Sequence, residues 1–137
     1  MRTFDPAALE SVRDLLPEKH YGFSPAEIAS DCSNYILYNR DGDIALFEAI
    51  TPGVVRGHYF FRNRGRKAID AAQEFLDEIF KEDVSVITGL TPKDNRPAIW
   101  MNRQLGFRYM CDVDTIAGPM ELYILSQRNK RRINNDE

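Results

Sequence analysis

Two groups of residues in this chain have the types and spacing to do chemistry. The first is in "FFRNRGRKAIDAAQEF", where Arg62, Arg64, Arg66 and Lys67 stand at the start of a predicted helix. Aligned peptide dipoles already place about half a positive charge at a helix N-terminus, so four cations there call for a negative partner. Free helix N–H groups beside cations make a phosphate site. The alternative is a solvated basic turn that pairs with acidic residues elsewhere. Neither GxxxxGK[ST] nor GxGxxG occurs in the segment, so it is not a Walker or dinucleotide loop. The second group is Glu48 and His58, the two base candidates in the strands just before the basic cluster. An imidazole suits deprotonation of an ammonium near neutral pH, which favours His58; a hydrogen-bonded structural histidine and a surface carboxylate are the alternatives. His20 has no second ligand at metal spacing, and Cys32 and Cys111 form no CxxC pair, so neither a metal site nor a disulfide is predicted. Cys111 reads as a small buried residue.

The elements that must position these groups follow from local signals. Asp5 and Pro6 open a helix carrying Leu9, Val12 and Leu16 that should stop at Pro17, and "SPAEIAS" opens a second. Strands then follow in "NYILYN", "IALFEAI" and "VVRGHYFF", joined by turns at Asp41-Gly42 and Pro52-Gly53. With Pro52-Gly53 as a two-residue turn, Phe47 lies opposite His58 and Glu48 opposite Gly57. That register places Glu48 and His58 on opposite faces of the sheet, so only one could meet a substrate. Ala68, Ile69, Ala72, Phe75, Leu76 and Ile79 recur at helical spacing behind the basic cluster. Next come a strand, "VSVITGL"; a short helix capped at Asn95 or Arg96 and ended at Gly106; and two strands, "FRYMCDVDT" and "MELYILSQ". The single strand–helix–strand crossover predicts one parallel pair in an otherwise antiparallel sheet.

Size and charge narrow the function classes. With 137 residues and 43% hydrophobic content, the chain fits one domain over residues 1–127, with a charged tail at 128–137 expected to be disordered. A net charge of -3 argues against a general nucleic-acid binder. No long uncharged apolar run occurs, so a soluble, cytoplasmic protein without membrane partners is expected.

Two motifs in order resemble the GCN5-related N-acetyltransferase (GNAT) superfamily: "RNRGRKA", similar to its pyrophosphate loop, and "NRPAIWMNRQLGF", similar to its later Asn-x-x-Ala motif ending in "LGF". With the strands on either side, the resemblance covers roughly residues 35–127. It implies an α/β (α+β) fold with a mixed, mostly antiparallel sheet, one splayed parallel pair and helices on both faces. It implies acetyl-CoA as cofactor, contacted by Phe60, Phe61, Arg62, Arg64, Gly65, Arg66, Lys67 and Ala68, and by Asn95, Ala98 and Asn102 of the later motif. The implied activity is acetyl transfer to an amine on a small molecule or protein. The chain departs from the pattern in three places: Lys67 replaces a small residue, the first strand is reduced to "RTF", and Asn102 stands where a proton-donating Tyr is usual. Small phage-encoded proteins of the superfamily share such departures. Their resemblance implies an alternative role as a virion or head-assembly module, and a homodimer is a further possible partner state.

Overall fold

A computed structural model describes residues 1–16 and 24–127; the tail and His20 lie outside these described residues. The elements are β1 (Arg2–Thr3), α1 (Ala7–Glu10), a 3-10 turn (Arg13–Leu15), α2 (Pro25–Ser30), β2 (Tyr35–Tyr38), β3 (Ile44–Thr51), β4 (Val54–Phe60), α3 (Arg66–Ile79), β5 (Val86–Pro92), α4 (Arg96–Gln104), β6 (Arg108–Thr115) and β7 (Gly118–Ser126). One seven-stranded sheet runs β1-β2-β3-β4-β5-β7-β6, in which only β4 and β5 are parallel. The fold is the mixed α/β arrangement expected, and its reduced first strand makes only two pairs, Arg2 with Leu37 and Thr3 with Ile36.

Side chains alternate across a strand, so each face gathers its own core. On one face Leu37, Ala45, Phe47, Val55, Ile87, Tyr123 and Leu125 pack under the apolar stripe of α3, with Leu105 and Phe107 from the end of α4. On the other, Ile36, Ile44, Leu46 and Phe60 pack against Leu9 and Val12 of the N-terminal segment, with Ile28 of α2 beside them. That N-terminal segment is not the single helix predicted from Asp5 to Pro17. Asp5 does cap its start, accepting from the Ala7 amide at 2.9 Å. The helix then breaks at Val12, which takes φ -114° and ψ 13°. The break releases the Ser11 carbonyl, which accepts instead from the Arg62 guanidinium at 2.7 Å. Cys111, expected to be buried, is exposed because β6 is the edge strand and most of its residues face solvent.

The path from β4 into α3 is fixed by Asp43, which is fully buried at the start of β3. Its carboxylate accepts from the Arg62 amide at 2.6 Å, the Asn63 amide at 3.0 Å, the Asn63 side chain at 2.5 Å and Asn39 Nδ2 at 3.0 Å. Burial pushes the Asp43 carboxyl up; the hydrogen bonds from Asn39, Asn63 and the Arg62 amide outweigh it and hold the group below the usual carboxylate range. A buried charge needs such partners, and here they come from the β2–β3 turn and from the loop that precedes α3. Asp43→Ala would leave several buried donors unpaired and should cost about 3 kcal/mol in urea unfolding at pH 7. Because the folded-state pKa is depressed, this contribution is present above the unfolded carboxyl value of about 3.9 and is lost as pH falls through the lower folded value. The gap in stability between the parent protein and Asp43→Ala should therefore shrink on acidification.

Candidate active site

The site is set by the register of β3 against β4. The Pro52-Gly53 turn forms as predicted, with Thr51 opposite Val54 and Gly53 at φ 82°. One step further the register slips, since Ala49 pairs with Val55 and Ile50 is left as the extra residue of a β-bulge. A one-residue slip exchanges the faces of a strand. Leu46 therefore lies opposite His58, Phe47 opposite Gly57 and Glu48 opposite Arg56. The expected separation of Glu48 and His58 is overturned: they share one face, the face of the N-terminal segment.

The two side chains meet across the strands, His58 Nε2 lying 2.5 Å from Glu48 Oε1. The hydrogen bond with His58 holds the Glu48 carboxyl below the usual carboxylate range, against the effect of burial and with help from the charges of His58 and Arg56. A carboxylate can only accept, so with a neutral imidazole Nε2 carries the proton and Nδ1 is left free to take one. Both side chains are little more than a third exposed, enough for a ligand to reach them. Arg56, directly across from Glu48, shares this face, and nothing in the sequence singles it out. On the opposite face Tyr59 lies back over Gly57, where a Cβ would come within 2.5 Å of the Tyr59 hydroxyl.

This group stands where β4 and β5 part. Their parallel pairing covers only Val54–Val86, Val55–Ile87 and Arg56–Thr88, although β4 runs on to Phe60 and β5 to Pro92. Past Arg56 no described strand pairs with this edge of β4. The basic turn follows at its end. Gly65 takes φ 58° and ψ -132°, a left-handed region that L side chains rarely adopt, and caps α3 with no side-chain hydrogen bond. No acidic residue occupies the first turn of α3. Arg66 is highly exposed with one loose contact to Asp70 at 3.5 Å, Lys67 is exposed, and Arg64 reaches only the Phe61 carbonyl at 3.3 Å.

Other predicted contact residues are occupied differently. The Arg62 guanidinium makes a bidentate pair with Asp14 at 2.7 and 2.8 Å, which commits its side chain to the N-terminal segment. Phe60 is buried in the core of that segment, Phe61 stacks with Tyr59, and Ala68 is buried in the first turn of α3. Asn95 caps α4 by accepting from the Ala98 amide at 3.2 Å. Asn102 donates to the buried Thr91 hydroxyl at 2.9 Å, which ties α4 to the splayed end of β5. No group of three or more His, Cys, Asp or Glu is placed to hold a metal among the described residues, and no described helix is long and apolar enough to cross a membrane.

No family model and no curated protein matches the sequence. Solved structures do match. Aminoglycoside acetyltransferase AAC(6')-Ib in complex with coenzyme A and kanamycin superposes with a TM-score of 0.64 at 16% identity, over 93% of this chain and 91% of that one. A GNAT-family acetyltransferase from Bacillus anthracis gives 0.65 at 16% identity, over 93% of each chain. Mycobacterium smegmatis RimJ in complex with CoA-disulfide gives 0.65 at 14% identity, over 96% of this chain and 82% of that one. The chain has the GNAT fold. Within that fold, the unpaired edge of β4 is bounded by the basic turn at one end and the Glu48–His58 pair at the other.

The bulge makes the register testable. Removing Ile50, which is 47% exposed, takes out only the unpaired residue and leaves every other β3–β4 pair in place. The deletion should cost less than about 1 kcal/mol. It should also keep cross-strand nuclear Overhauser contacts between Leu46 and His58 and between Glu48 and Arg56. A simple two-residue hairpin would instead lose its register and its stability.

Proposed function

We propose that the protein is an acetyl-CoA-dependent N-acetyltransferase in which His58, oriented by Glu48, is the base that takes a proton from the acceptor amine. The observation that carries this reading is the Glu48–His58 hydrogen bond beside the point where β4 leaves β5. The three neighbours described above are acetyltransferases by name, and two of them were solved with coenzyme A or its disulfide, which supports the cofactor class. They lend nothing to a virion-assembly role.

The chain offers fitting groups for each part of such a cofactor. Arg64, Arg66 and Lys67 surround a helix start with no side-chain cap, where a pyrophosphate meets amide donors and the positive dipole end. The β4 edge past Arg56 offers main-chain groups to an extended pantetheine arm, as a sheet edge does to an added strand. His58 Nδ1 accepts a proton from the ammonium while Glu48 stabilises the imidazolium that results. The freed amine attacks the thioester carbonyl, the C–N bond forms, the C–S bond breaks, the thiolate departs with the electron pair, and the second proton on the new amide nitrogen passes to water. Asn102 gives it no proton, because a carboxamide is too weak an acid and this one is engaged with Thr91. A thiol of pKa near 8.5 can leave as the thiolate and take its proton from water. Most of the acceleration then comes from positioning and a single base.

Coenzyme A titrations and acetyl-transfer rates separate the two halves of the site. His58→Ala and Glu48→Gln should lower kcat by about 10²-fold or more while leaving coenzyme A affinity within about twofold. Arg64→Ala with Arg66→Ala should do the reverse, weakening coenzyme A binding and flattening its salt dependence. A His58→Ala enzyme with full activity would overturn the assignment of the base.

A further inference from the structure

Arg56 is a partly buried charged residue of this face that the acetyl-transfer chemistry leaves unused. It lies between Glu48 on β3 and Thr88 on β5, with its side chain on the Glu48–His58 face and partly buried. Among the described residues that side chain makes no hydrogen bond or ion pair, and its Nε is enclosed without an acceptor. Its cross-strand neighbours hold other hydrogen bonds, Glu48 Oε1 with His58 and the Thr88 hydroxyl with the Val55 carbonyl at 3.3 Å, so Glu48 meets Arg56 through charge alone. A guanidinium presents a planar fork of donors that fits a carboxylate bidentately, and an enclosed Nε without an acceptor is costly.

The floor beside Arg56 is apolar. Thr88 pairs with Ile124 and Leu90 with Leu122, so these side chains project from the face of Arg56 and His58. Leu90, Leu122 and Ile124 are only partly buried, and none joins either buried core cluster, because the N-terminal segment packs on β2, β3 and the end of β4. Arg56 and His58 are two residues apart on β4, so their Cα atoms lie about 7 Å apart. An amine and a carboxylate separated by one or two carbon atoms can meet both side chains.

We infer that the acceptor is a small amine that also bears a carboxylate on an apolar body, with Arg56 holding the carboxylate, Leu90, Leu122 and Ile124 carrying the apolar part, and the amine directed at His58. The inference rests on the acetyltransferase reading. Its test therefore begins with calorimetric titration of coenzyme A into the full chain, because absence of binding overturns that reading and this one together. With coenzyme A binding established, acetylation of L-leucine is compared with that of isoamylamine, which keeps the apolar body and lacks the carboxylate. The expected result is a kcat/KM for leucine at least tenfold higher, carried by KM. That ratio should fall to about one in Arg56→Gln and be partly restored in Arg56→Lys, with unchanged melting temperatures. Coenzyme A binding together with equal use of the two amines, a ratio that survives Arg56→Gln, or no acetylation of either amine overturns the inference and leaves the cofactor reading standing.

Discussion

Everything that could act in this protein depends on β4 abandoning β5 after three residue pairs. Buried backbone N–H and C=O groups must find partners, and in a sheet the neighbouring strand supplies them. β5 keeps its partner, since seven pairs join it to β7 along its whole length. β4 keeps β3 on one side and loses its neighbour on the other from Gly57 onward. The divergence leaves an unpaired strand edge inside the fold, where an extended ligand can take the place of a strand. Asp43 supports the far end of that edge by gripping the Arg62 and Asn63 amides, and Asn102 ties α4 to Thr91 on the other side.

The chemistry on one side of this gap depends on a single extra residue. With Ile50 bulged, β3 presents Glu48 to His58 and Arg56 instead of turning it toward α3. An ionised carboxylate beneath α3 would sit among Phe75, Leu76 and Ile79, with no partner in that core, at a cost of several kcal/mol. The bulge thus serves packing and chemistry together: it keeps Phe47 in the α3 core and Glu48 out of it. Arg62 shows the same double use, with its amide on Asp43 and its side chain fastening the N-terminal segment to the end of β4 through Asp14 and the Ser11 carbonyl.

Much of the fold is legible in the sequence because its signals are local. Pro52-Gly53 marks a turn, the stripe from Ala68 to Ile79 marks α3, Asn95 and Pro97 mark the start of α4, and the lone crossover implies the parallel pair. The site is less legible because it rests on register. Counting back from Pro52-Gly53 gives the wrong face for Glu48, since Ile50 carries no composition signal that distinguishes a bulge from a paired strand residue. The break at Val12 is equally hidden, because Leu9 and Val12 fit a continuous helix and the competing hydrogen bond comes from Arg62, about fifty positions away. The basic turn reads as four equivalent cations, yet tertiary pairing withdraws the Arg62 side chain and leaves Arg64, Arg66 and Lys67.

The claim that the gap between β4 and β5 is the cofactor site is tested most directly by adding coenzyme A to isotope-labelled protein and following the backbone amide resonances. The largest shifts should fall on residues 57–61 of the unpaired edge, on the basic turn and helix start at 64–68, and on residues 89–91 of β5, while β1 and β6 stay unchanged. Saturable shifts that spare the β4 edge and gather on another surface, or no shifts at millimolar coenzyme A, would contradict the account.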